Sequence, residues 1–105
     1  NTMDDNERRI FSTRDLYLAS TLVTLHFPLI GTDYQHEGSK PRMIGYFKFN
    51  ESPELRATMN DYNQGLVLVD PRAFIQTLQA LKADVMNFMN NPNSEFNRYE
   101  KQGKV

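Results

Sequence analysis

The chain has 105 residues, 39% of them hydrophobic and 24% charged, which is enough for one domain around a single core and excludes both two full domains and a wholly disordered chain. Its formal net charge of −1 excludes a uniformly basic nucleic-acid coat and an acidic nucleic-acid mimic, while leaving room for a local patch of either sign. The absence of cysteine excludes a disulfide framework and a thiolate metal site, and fits a reducing compartment.

In chain order, residues 1–10 are polar and read as a flexible N-terminus, with Asn1-Thr2 ahead of Met3 having the look of an expression remnant. Arg8-Arg9-Ile10-Phe11 carries just enough apolar content for a short strand. A helix then starts in side-chain chemistry: Ser12 as N-cap, Asp15 three residues on, and Phe11 and Leu16 spaced as a hydrophobic staple. It runs to about His26, with Leu16, Leu18, Ala19, Leu22, Val23 and Leu25 on one half and Tyr17, Ser20, Thr21 and Thr24 on the other. Pro28 stops it.

Leu29 to Tyr34 reads as a strand, Gln35 to Pro41 as a hairpin tip, and Arg42 to Phe49 as the return strand. Alternation on the return strand puts Met43, Gly45, Phe47 and Phe49 on a core face and Ile44, Tyr46 and Lys48 on the other. Ser52-Pro53-Glu54 opens a second helix that ends at Gly65, a glycine suited to the left-handed C′ position. Leu66-Val67-Leu68-Val69 has the continuous apolar character of a buried strand. Asp70-Pro71 opens the longest helix, to about Met89, and residues 90–105 form a polar tail with Phe96 and Tyr99 as its only anchors. The domain proper is thus expected over 11–89. The fold class is α+β: a small mixed sheet of three or four strands with helices on one face, in the order (β)αββαβα. The seven-element version matches a ferredoxin-like fold, with a β-α-β crossover from Arg42 to Val69.

The stretches Phe11-Ser12-Thr13-Arg14-Asp15-Leu16-Tyr17-Leu18-Ala19, Tyr46-Phe47-Lys48-Phe49, Ser52-Pro53-Glu54-Leu55 and Val69-Asp70-Pro71-Arg72 resemble a small family of bacterial and phage proteins with no assigned activity. The resemblance covers roughly Phe11 to Leu81. Its motifs are helix caps and core positions, so it implies a fold and carries no substrate, cofactor or catalytic residue.

Few residues suggest chemistry. His26 and His36 lack metal-ligand spacing, and His26 suits the negative end of its helix dipole. The serines fall at caps and turns, Asp15, Glu54 and Asp70 at helix starts, and the glycines are too dispersed for a phosphate loop. The expectation is a non-catalytic binding module with no cofactor and no metal. Arg42, Ile44, Tyr46 and Lys48 would form an aromatic-and-cation strip on the sheet face opposite the helices, suited to single-stranded nucleic acid. Gly45-Tyr46-Phe47-Lys48-Phe49 faintly matches an RNP1 strand but lacks its full pattern. The alternative is a homodimer or adaptor that buries the last-helix stripe of Phe74, Leu78, Leu81, Val85 and Phe88. With no apolar run of roughly 20 residues and no signal-like N-terminus, the expected setting is the cytoplasm, or a host cytoplasm for a phage protein, with no membrane partner.

Overall fold

The structure is a computed structural model that describes residues 9–39 and 43–90. These residues form β1 (Ile10–Thr13), α1 (Leu16–Thr24), β2 (Leu29–His36), β3 (Met43–Asn50), α2 (Pro53–Asn63) and α3 (Pro71–Asn90). The sheet is antiparallel throughout, in the order β1-β3-β2. The α+β class and the helices on one face are as the sequence implies. The polar tail, Arg42 and most of the N-terminal segment lie outside the described residues.

β1 and β2 each pair with β3 and therefore run parallel to one another, joined by α1 with β3 inserted between them. This split β-α-β arrangement replaces the crossover expected from Arg42 to Val69. The expected fourth strand does not form: Leu66–Val69 pairs with no strand among the described residues. The ends of the segment explain why. α2 closes in a Schellman turn on Gly65, at φ +74°, with the N–H groups of Gly65 and Leu66 donating to the carbonyls of Tyr62 (3.1 Å) and Asp61 (2.9 Å). Four residues later, Asp70 caps α3 by accepting from the Ala73 N–H at 2.9 Å. The connection is thus pinned to two helix ends.

The second helix start is as expected: the Ser52 hydroxyl accepts from the Leu55 N–H at 3.1 Å, with Pro53 in the first turn. The first is not. Ser12 and Thr13 are drawn into β1, opposite Lys48 and Phe47, and Asp15 becomes the N-cap, accepting from the N–H groups of Tyr17 (3.0 Å) and Leu18 (3.2 Å). With Asp15 as cap, Leu16 is the first helical residue and Phe11 lies four residues before the cap, so the two no longer hold the staple positions, and both pack against the core. α1 also ends earlier than expected. Leu25 is its C-cap, and His26 adopts φ +75° while the His26 and Phe27 N–H groups donate to the carbonyls of Val23 (2.9 Å) and Leu22 (3.0 Å). His26 therefore occupies the C′ position of a Schellman turn, a place that favours glycine, and does not lie in the last helical turn.

Phe47 and Phe49 of β3, Leu18, Ala19 and Leu22 of α1, Leu55 of α2 and Leu81 of α3 form one buried cluster. α1 packs along α3 and also meets α2, so it is enclosed beyond the half that its apolar pattern defines. Ser20 and Thr21, expected on the solvated half, are buried. They donate one turn back to the carbonyls of Leu16 and Tyr17, both at 2.8 Å, which satisfies each hydroxyl inside the helix and lets small side chains face the crowded side.

Thermal unfolding of three variants checks the revised boundaries of α1. Asp15→Ala is expected to lower stability by about 0.5–2 kcal/mol, while Ser12→Ala, at an exposed strand position, stays within about 0.5 kcal/mol of the parent. His26→Gly is expected to raise stability by about 1 kcal/mol by relieving the left-handed backbone.

Candidate functional surfaces

The register of the sheet determines which residues share each face. Opposite β3, the helix-side face receives Phe11 and Thr13 from β1, and Leu29, Thr32, Tyr34 and His36 from β2. The other face carries Ile10 and Ser12, then Ile44, Tyr46 and Lys48, then Gly31, Asp33 and Gln35. A β-bulge between Leu29 and Gly31 lets both faces keep this alternation.

On the face opposite the core cluster, Tyr46 is half-buried and Lys48 is committed to a partner on β2. The Lys48 Nζ lies 3.3 Å from the carboxylate of Asp33, the diagonal neighbour on β2 two residues along from Gly31, which stands directly opposite. An ion pair this exposed contributes about 0–1 kcal/mol to stability, but it cancels the charge that a phosphate would meet. Ile44 is only 8% exposed, so Tyr46 and Lys48 are the parts of the expected strip that the described residues present. Asp33 was legible in principle, because the alternation Gly31-Asp33-Gln35 places it on this face once the hairpin is closed.

The stripe on α3 is largely used within the fold. Leu81 is buried in the core, Val85 packs against it, and Phe88 stacks on Tyr34 with 3.6 Å between ring centres and 2° between planes. Phe74 and Leu78 are half-buried. Gly45 gives the Tyr34 ring room, since a Cβ there would meet Tyr34 Cε1 at 3.1 Å and the ring would have to shift by a few tenths of an ångström. What α3 leaves outside is Ile75 and Met86. Between α3 and the end of β3, Met43, Met86 and Met89 line a cavity of about 230 Å³ with Arg14 and Lys82 among its walls. That is below the several hundred Å³ typical of small-molecule sites, and Arg14 already lies 3.8 Å from Glu37.

Among the described residues, the most exposed apolar side chains are elsewhere, in the connection between α2 and α3. Leu66 is 63% and Leu68 90% exposed, whereas Val67 and Val69 are half-buried beside Thr21, Tyr62 and Phe74. Burial alternates with a period of two, the mark of an extended chain. Beyond the Leu66 N–H, the backbone of this segment makes no backbone hydrogen bond among the described residues. Its composition predicts a buried strand, and it is instead held open.

Among the described residues, no three His, Cys, Asp or Glu side chains come together as a metal-binding group, and no helix is long and apolar enough to cross a membrane. Comparison with protein-family models, with curated proteins and with solved structures gives no match in any of the three.

Two tyrosines respond to burial. The Tyr34 phenol is raised above its ordinary pKa of 10.0 by desolvation and then by the charge of Asp84, and that of Tyr62 by desolvation and then by Asp15. In each case the fold favours the neutral phenol. The stability this contributes is complete below the unfolded value near 10 and is lost as pH rises through the folded value. Denaturant titrations from pH 8 upward are expected to show stability falling above about pH 10, less steeply in Tyr34→Phe and Tyr62→Phe. An unchanged slope in both variants would count against this assignment.

Proposed function

We propose that the chain is a non-catalytic protein-interaction module whose contact surface is the connection between α2 and α3. The observation that carries this reading is Leu68, 90% exposed within an apolar run whose backbone is largely unpaired among the described residues. Single exposed leucines are common on protein surfaces. Here two of them, Leu66 and Leu68, alternate along a segment that both neighbouring helix caps hold extended, a form that suits pairing with a strand of another chain. The apolar stripe of α3 supports this reading less, because Leu81, Val85 and Phe88 already have partners in the fold. The buried hydroxyls of Ser20 and Thr21 are likewise occupied, each by a helix carbonyl. A bacterial or phage origin and an intracellular setting accompany this reading.

A photo-crosslinking residue placed at position 68 in the native cell is expected to capture protein well above the level seen at Gln76, an exposed position on the first half of α3. Equal capture at the two positions would remove the reading. Leu68→Ser should abolish the excess while leaving stability within about 0.5 kcal/mol, because the side chain contributes little to the core.

A second reading, single-stranded nucleic acid on the sheet face opposite the core cluster, is favoured by Tyr46 beside Lys48 and opposed by the pairing of Lys48 with Asp33. It predicts that Tyr46→Ala weakens oligonucleotide binding by roughly 5- to 150-fold, the range that loss of one stacked base implies. It also predicts that Asp33→Asn strengthens binding by freeing Lys48. Filter binding at low salt tests both, and no binding there would eliminate this reading.

A further inference from the structure

Among the described residues, the sheet order leaves the outer edge of β1 without a strand, and β1 is four residues long. Leu66–Val69 is also four residues long, with burial that alternates as in an extended chain and a backbone largely unpaired among the described residues. The two segments share a burial pattern: Ile10 and Ser12 outward with Phe11 and Thr13 half-buried, Leu66 and Leu68 outward with Val67 and Val69 half-buried. Laid antiparallel with Leu68 opposite Ile10, they set Val67 opposite Phe11 and Leu66 opposite Ser12, so every pair lies on a common face. This register joins Ile10, itself 46% exposed, with the most exposed leucine of the chain. It also brings Asp70 to the Arg9 end of β1, so the charges flanking the two segments are of opposite sign.

We propose that Leu66–Val69 of one copy adds as a fourth strand to the open edge of β1 in a second copy, and that the exchange is reciprocal. This inference rests on the interaction reading above and names its partner. Within one chain, the segment is tied at one end by the Schellman turn of α2 and at the other by the Asp70 cap of α3, and Val67 and Val69 lie against the helices beside Thr21 and Phe74. Pairing with a second copy leaves both ends in place: the Leu66 N–H stays with the Asp61 carbonyl, and the Leu66 carbonyl and the Leu68 N–H and carbonyl are, among the described residues, open to the new strand. Because the caps already restrain the segment, little conformational entropy is lost on docking. Each copy offers one segment and one edge, so two equal pairings close a two-fold dimer. Two four-residue ribbons fall short of the roughly 1,200–2,000 Å² of a stable interface, so the dimer is weak and is best observed by covalent trapping.

The absence of cysteine makes the trap clean. Ile10→Cys and Leu68→Cys chains, made separately with one isotopically labelled, are mixed and oxidised. Both positions are exposed, so each variant folds. The expected product is a disulfide heterodimer of the two variants, exceeding either homodimer several-fold and increasing with protein concentration. A Leu68→Cys homodimer as the main product would overturn the pairing with β1 while leaving the interaction reading intact. An intramolecular disulfide in an Ile10→Cys/Leu68→Cys chain, without dimer, would overturn the second copy as partner. Crosslinking no greater than from Gln76→Cys at any concentration would overturn the proposal, and the photo-crosslink at position 68 then decides independently whether another protein is bound there.

Discussion

The fold depends on β3 being, among the described residues, the only strand with a neighbour on each side. Phe47 and Phe49 project from it into the buried cluster, where they meet α1, α2 and α3 at once. A fully buried phenylalanine removes on the order of 150–250 Å² from water, and few other side chains in so short a chain offer as much. The strand that carries these rings therefore fixes where each helix can lie. Its inner face is free of bulk at Gly45, where Tyr34 lies flat and receives Phe88, and so the same strand also anchors the far end of α3.

α1 is enclosed from more than one side, and it accommodates this with small residues. Ala19, Ser20 and Thr21 let the helices approach, and the two hydroxyls are satisfied by carbonyls of their own helix, so close packing leaves no orphaned polar atom among the described residues. This explains why so much of the apolar surface of α3 is directed inward. The leucines left outside are those in the one connection whose ends are fixed by caps, and the exposed apolar surface is there because backbone geometry dictates it.

Much of this was legible from side-chain chemistry acting over a few residues. Ser52-Pro53, Asp70-Pro71 and Gly65 each state a helix boundary in local terms, and the structure places all three boundaries there. Ser12 misleads because its competing role, pairing opposite Lys48, involves a strand 36 residues further along that no local pattern reveals. Leu66–Val69 misleads for a related reason: a strand is defined by its partner, and composition cannot say whether an edge lies within reach. Ser20 and Thr21 look like surface residues until their hydroxyls turn back to the helix. Of the candidate sites, Tyr46 and Lys48 were legible from period-two alternation, whereas the neutralising Asp33 required the register of the hairpin.

The insertion of β3 between β1 and β2 also sets an order in time. β2 and β3 are joined by a short hairpin and can pair locally, at small loop-closure cost. β1 has no partner until β3 is in place, and the residues of α1 and β2 lie between them in the chain. Of the three described strands, β1 is therefore the first to emerge during synthesis and the last to be paired. Until Asn50 has been made, neither of the other two strands can pair with it, and among the described residues the finished sheet covers only one of its edges.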